Sequence, residues 1–346
     1  MGIVQRNLIG IEIGAKNVKM VKLNTKGKVT NYAFVDLPDN VIVNGRVESK
    51  QMLTETLKLA RKKLDLSFKD CVMCLDNTDV IIRQITIPQM EEEYIRNNIS
   101  LELSGFLPVS PDRYVIDYII TETIDTEPKQ YQLLVFAVPM DVVQAYAACI
   151  KGAGFNLRYV DIMENAYEKL HKMLRKNRAT SENNFACLYI DNSRASVSVF
   201  GNGRFFINKT IDNGIIRICK EIGEKTSRPS ETVRNLIFTN DVLGVGDTYT
   251  AEKTVIERNL KDISIDVMRV VDYFKSRNPD SSIGVIYLSG GFSHVSGVQT
   301  HLQNLLGLPV VNISSYLDKM FKDAPTKNNG VDYTNAIAVT LREENS

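Results

Sequence analysis

The sequence predicts a mixed α/β protein with an internally duplicated core, and three stretches carry that prediction. The first, "LIGIEIGAKNVKMVKL" (Leu8 to Leu23), alternates apolar residues up to Ile13, breaks at Gly14 and then resumes. An acid, Glu12, precedes the break, and a lysine, Lys19, follows it. The second, "FACLYIDNSRASVSVFGNGRFFINKTI" (Phe185 to Ile211), repeats the order strand, acid, turn, strand, with Asp191 as the acid. The third, "YLSGGFSHVSG" (Tyr287 to Gly297), reads as a strand, a double-glycine turn and a helix start. Two β-β-β openings of the same design in one chain are most simply explained by duplication.

The elements follow in order. Residues 8–14 and 17–24 are strands around Gly14, and Lys28 to Pro38 alternates as a third. Residues 49–64 place Met52, Leu53, Thr56, Leu57, Ala60 and Leu64 on one helical face, with Ser49 as N-cap. "DCVMCLD" is a buried strand. A β-α-β-β-α-β unit is expected over residues 80–160. It runs from the strand "VIIRQITIP" through a helix with acids in its first turn to a helix broken at Gly152 and Gly154, and ends on the strand "LRYVDI". The helix Glu164 to Arg175 and a polar linker lead into the second opening. Its Gly-Asn-Gly turn at 201–203 suits a tight hairpin. Residues 214–280 are mostly helical, and "TNAIAVTLREE" is a short C-terminal helix.

Composition excludes several classes. The 346 residues are 44% hydrophobic and 24% charged, with a formal charge of +1, so no global field draws nucleic acid or anionic lipid. Glu12 and Lys16 interrupt any signal-like apolar run, and nothing approaches the ~20 apolar residues of a membrane span. A cytoplasmic location is expected, with membrane contact only through partners. Cys71 and Cys74 form a CxxC, but no second cysteine or histidine pair lies near it. Two thiols in a buried strand are preferred to zinc or redox chemistry.

The two turns point to anion binding. A tight turn of small residues exposes amides that can converge on phosphate. Gly14 and Ala15 keep such a turn low, Lys19 supplies a positive charge, and a carboxylate such as Glu12 or Asp191 can hold hydrated Mg²⁺. The double glycine Gly290–Gly291, followed by Phe292 and a helix start, would close the site from the other half.

These stretches resemble the phosphate and adenosine motifs of the actin-like ATPase superfamily. "IEIGAKNVK" is similar to the first phosphate motif, "YIDNSRASVSVF" to the second and "YLSGGFSHVSG" to the adenosine motif. Within the superfamily the chain resembles the PilM family of type IV pilus assembly proteins, related to FtsA. "MEEEYIRNNISLELSGFLPVSPDRYVIDY" and "LLVFAVPMDVVQAYAACIKGAGFNLRYVDI" carry that likeness, which covers nearly the whole chain.

The resemblance implies a ribonuclease H-like, actin-like fold: two lobes around an ATP·Mg²⁺ cleft. It divides the chain into a first-lobe core (1–79), an inserted docking subdomain (80–160), a first-lobe helix and linker (161–184) and a second lobe (185–346) whose last helix returns to the first. Gly14, Ala15, Lys16, Asn17 and Lys19, with Asn192, Ser193, Arg194, Ala195, Ser196, Gly290, Gly291 and Phe292, would bind the nucleotide. Glu12 and Asp191 would serve the metal, and Glu12, Glu164 and Asp191 are the candidate catalytic residues. Ile81, Arg83, Leu103 and Phe106 would face the cytoplasmic N-terminal peptide of PilN. That contact would tie the chain to the inner membrane face and the pilus assembly motor.

Two departures from the family pattern bear on turnover. Glu12 stands where the family commonly has Asp, and Ser193 where it has glycine, a substitution costing ~1 kcal/mol if the turn is left-handed. Nucleotide binding with slow or absent hydrolysis is therefore expected. An FtsA-like filament protein, with self-association, and a sugar-kinase-type phosphotransferase are the alternatives. FtsA carries a C-terminal amphipathic membrane helix, whereas "AIAVTLREENS" is short and polar.

Overall fold

The structure, a computed structural model, describes residues 3–5, 7–244, 248–321 and 329–343. A short strand β1 (Ile3–Gln5) precedes the first opening, β2 (Ile9–Ile13), β3 (Asn17–Leu23) and β4 (Val29–Asp36). A small hairpin, β5 (Ile42–Val43) and β6 (Arg46–Val47), leads to α1 (Lys50–Leu64) and β7 (Asp70–Leu75). Then come β8 (Ile81–Pro88), α2 (Glu92–Ser104), β9 (Tyr114–Ile124), β10 (Gln130–Pro139), α3 (Met140–Gly152), β11 (Asn156–Ile162) and α4 (Met163–Lys176). The second half holds β12 (Phe185–Ile190), β13 (Ala195–Gly201), β14 (Arg204–Ile211), α5 (Ile215–Thr226), α6 (Ser230–Thr239) and α7 (Thr250–Arg277). It closes with β15 (Val285–Ser289), α8 (Val298–Leu306), β16 (Val310–Asn312), α9 (Ser314–Leu317), α10 (Asn329–Asp332), α11 (Thr334–Thr340) and β17 (Leu341–Glu343).

The duplication is explicit in the hydrogen bonding. One five-stranded sheet runs β4-β3-β2-β7-β11 and the other β14-β13-β12-β15-β16. In each, three antiparallel strands are followed by parallel neighbours. Side chains alternate along each strand, so each sheet has two faces to cover. Ile9, Ile11 and Ile13 of β2 pack outward against α1 and α3. Ala186, Leu188 and Ile190 of β12 pack outward against the helices α5 to α8. The inner faces share a third core built around α4 and α11, with Leu8 and Val21 from one sheet and Phe185, Cys187 and Tyr189 from the other. Gly10, on the inner face of β2, admits α11 closely. A Cβ there would lie 1.9 Å from the Ala336 carbonyl oxygen, so the C-terminal helix rests directly on first-lobe backbone.

The structure rearranges the expected inserted unit. Only β8, β10 and β9 form a separate sheet, with α2 over one face. β11 instead pairs in parallel with β7, and α3 packs in the first-lobe core. Periodicity alone could not reveal this, since a strand's partner is not encoded locally. The tail also differs: the helix stops at Thr340, and Leu341–Glu343 pairs with β1, while residues 344–346 of the expected polar tail lie outside the described residues. On α1, Leu53, Thr56, Leu57, Ala60 and Leu64 are buried as expected, whereas Met52 is 43% exposed because it sits at the edge of that face. Cys71 and Cys74 lie buried in β7, and burial pushes the Cys71 thiol up to about 12.

Ser49 caps α1 by accepting from the Met52 amide at 3.4 Å. Ser49→Ala is expected to cost ~1 kcal/mol or less, read from the urea midpoint. An unchanged midpoint would mean that water serves the amide equally well.

Candidate functional site

Alternation places both acids on the inner faces. Gly10 and Glu12 share the inner side of β2, and Asp191 continues the inner side of β12 beyond Tyr189. Lys19 is the cross-strand partner of Glu12, and its Nζ donates to Glu12 Oε1 at 3.2 Å. Both are nearly buried, with side-chain exposures of 12% and 4%. Burial pushes the Glu12 carboxyl above its ordinary range, and Lys19 only partly offsets this, with Asp191 and Asp76 adding to the push. Burial pulls Lys19 down, but the carboxylates of Glu12, Asp191 and Asp332 overcome it, so the ammonium is held above its usual value. A fixed cation therefore sits in the cleft, with acids from both lobes near it.

The first turn is shaped for an anion. Gly14 N–H closes the turn on the Asn17 carbonyl at 2.9 Å, so it is not a free donor. The amides of Ala15 and Lys16, and of Asn192 and Ser193 in the opposite turn, have no partner among the described residues. A Cβ at Gly14 would meet only Asn17, at 3.5 and 3.6 Å. No protein atom demands glycine there, and its backbone is not left-handed. The open space, the free amides and the buried Lys19 together fit a phosphate group.

The second turn differs from expectation. Ser193 is not in the left-handed region, so the anticipated strain is absent. Asp191 N–H instead closes on the Arg194 carbonyl at 3.0 Å, and the turn abuts Gly214, where a Cβ would lie 2.5 Å from the Arg194 nitrogen. Arg194 is not simply solvated: its guanidinium pairs with Asp76, which follows β7 in the other lobe. Burial pushes the Asp76 carboxyl up, Arg194 pulls it back, and Asp191 adds to the push.

Other expected contacts are corrected by burial. Phe292 and Ala195 are fully buried in the second-lobe core and cannot touch a nucleotide. Lys16 turns outward to Asp39. The Asn192 side chain accepts from Arg234 Nη1 at 2.9 Å and braces α6. Gly290 has a φ of 85°, and a Cβ there would sit 2.4 Å from the Ile190 carbonyl oxygen, so strand packing requires this glycine. At Gly291 a Cβ would come within 3.2 Å of Asp191 Oδ1. The double glycine thus also positions the acid.

Glu164 is buried at the start of α4 and accepts from Asn208 Nδ2 at 2.8 Å. Burial raises its carboxyl above the ordinary range despite that bond and its own amide. It lines a cavity of about 90 Å³ with Asp76, Arg194 and Ser196, whose buried Oγ has no partner among the described residues. In the inserted unit, Leu103 belongs to the core under α2, and Ile81 packs partly buried against it. Arg83 and Phe106 remain at the surface, the guanidinium 4.2 Å from the ring centroid. Sequence reasoning missed Asp76 and Gly214, which no local pattern marks.

The family model of the type IV pilus assembly protein PilM matches residues 10–343. The chain belongs to the PilM family. A structure titled "PilM-PilN type IV pilus biogenesis complex" is similar over 97% of this chain and 98% of that one, with a TM-score of 0.81 at 19% identity. The ethanolamine utilization protein EutJ of Carboxydothermus hydrogenoformans gives a TM-score of 0.58 at 13% identity, over 97% and 92% of the two chains. MreB 5 of Spiroplasma citri, solved with AMPPNP, gives 0.55 at 10% identity, over 90% and 93%. These likenesses show the actin-like fold. No match is found among curated proteins. A PilM-family chain has a role in type IV pilus assembly, and no helix among the described residues is long and apolar enough to cross a membrane.

Proposed function

We propose that this PilM-family chain is a nucleotide-binding scaffold of type IV pilus assembly that docks the cytoplasmic N-terminus of a PilN-type protein. The observation that carries the nucleotide part is Lys19, buried between acids of two lobes beside an open glycine turn. The similar MreB 5 fold was solved with AMPPNP, which supports a nucleotide in this cleft. Glu12 and Asp191 would hold Mg²⁺ jointly with phosphates, as that ion prefers one or two carboxylates plus substrate oxygens. Turnover is expected to be slow, well below the ~10 per second typical of enzymes. Glu164, the acid nearest to a water-positioning role, is engaged in a structural bond to Asn208. Hydrolysis at several per second would overturn that expectation.

PilN docking rests on the likeness to the PilM–PilN complex and on the inserted sheet. Such docking would hold the chain at the inner membrane face and connect it to the assembly motor. Phe106, 53% exposed beneath Arg83, is an aromatic anchor of the kind that dominates peptide contacts. Phe106→Asp is expected to weaken a labelled PilN N-terminal peptide about tenfold in fluorescence anisotropy, with urea stability unchanged. Equal binding by the variant would move the docking site elsewhere; no binding by the wild type would remove the docking proposal.

A further inference from the structure

Asp76 and Arg194 join the two lobes beside the phosphate turn. Their side-chain exposures are 20% and 14%, and 118 residues separate them along the chain. A nearly dry pair that spans two bodies is a constraint that breaks whenever those bodies part. Its position relative to the site is fixed by the turn: the Asp191 amide bonds the Arg194 carbonyl, so carboxylate and guanidinium hang from one short loop. Asp191 and Lys19 both act electrostatically on Asp76. Lys19 is already paired with Glu12. Arg194 is therefore a second cation close to any anion seated between the turns, and its planar fork suits phosphate bidentately.

We infer that Asp76 is a latch on Arg194, released when the terminal phosphate of a nucleoside triphosphate takes the carboxylate's place. The inference rests on the nucleotide reading of the cleft. A diphosphate engages Lys19 and the free amides without displacing Asp76. A triphosphate exchanges one anionic partner of Arg194 for another and bridges the lobes through the ligand instead of through the protein. The released carboxylate has polar neighbours in the adjoining cavity of about 90 Å³, which Asn77, Thr78, Asn208 and Thr210 wall together with the buried Glu164 carboxyl. In the latched state the affinity for triphosphate is reduced by the cost of breaking the pair. Asp76 thus sets both the strength and the selectivity of binding.

The test is calorimetric titration of the full chain with ATP·Mg²⁺ and with ADP·Mg²⁺. Asp76→Asn keeps the shape, removes the charge and frees Arg194. It is expected to tighten ATP about tenfold and to leave ADP within about twofold. The double variant Asp76→Asn with Arg194→Gln leaves no unpaired charge, so it serves if the single variant fails to fold. It is expected to bind ATP and ADP alike. Unchanged ATP affinity in Asp76→Asn, or an ATP preference that persists in the double variant, overturns the latch. Binding of neither nucleotide by the wild type removes the reading beneath it, an outcome distinct from the first two.

Discussion

Asp161→Ala is expected to lower stability by about 3–5 kcal/mol, read as a shift of the urea midpoint at unchanged slope. The carboxylate closes the end of β11 and is buried, as is its partner Lys169 on α4. Its other oxygen accepts from the Ile162 amide at 3.0 Å and Asn165 Nδ2 at 2.7 Å. Arg342 approaches at 3.5 Å from β17 and stacks 4.1 Å from the Tyr159 ring centroid. One acid thus ties together the first-lobe sheet, the inter-lobe helix and the C-terminal strand. Removing it leaves an ammonium and a guanidinium facing each other without an anion, and this uncompensated charge accounts for most of the loss. Replacing both Asp161 and Lys169 by apolar residues of similar volume (Asp161→Leu with Lys169→Met) is expected to recover only part of it, since Arg342 keeps its ring contact but loses its anion, and the Ile162 amide and Asn165 lose their acceptor. A loss under about 1 kcal/mol in Asp161→Ala would mean that water reaches the cluster and the pairs behave as surface ones.

The parts of the fold legible in the sequence are those set by local pattern. Alternation around Gly14 and again around Asp191 located both hairpins, and Asn202 and Gly203 take the positive φ values that a tight turn needs. The resemblance to the PilM family follows from the order of such pieces. Long-range relations were not legible. Nothing in "LRYVDI" says that it pairs with β7 instead of the inserted sheet, and nothing in "LREE" says strand instead of helix. The candidate site divides the same way. Glu12 and Lys19 were marked by residue type on either side of the turn, and the register that sets them opposite each other came from the structure. Phe292 and Ala195 carried the motif but point into a core, and Arg194 meets an aspartate from the other lobe. Burial and cross-lobe pairing depend on packing between halves, which a one-dimensional pattern does not contain. Gly10 and Gly214 show this most plainly, since each is required by backbone from a distant segment.

Lys19→Ala is expected to abolish nucleotide-dependent stabilisation. For the wild type, ATP·Mg²⁺ at a hundred times its Kd raises unfolding free energy by ~2.7 kcal/mol, visible as an upward shift in melting temperature. The variant removes the buried cation of the cleft and leaves the glycine turn intact. Glu12 then loses its partner, and since burial already raises its carboxyl above the ordinary range, loss of the ammonium is expected to raise it further, so that protonation relieves the buried charge and the fold survives. Melting of the ligand-free variant therefore falls modestly, and the informative quantity is the further shift on adding ATP·Mg²⁺. Loss of that shift places the phosphates at Lys19. A full shift in the variant would place them elsewhere, and the free amides of Asn192 and Ser193 would be the next donors to test. No shift in the wild type would leave a scaffold whose lobes are held by their shared core and by Asp76–Arg194, with pilus assembly served by protein contacts rather than by a nucleotide.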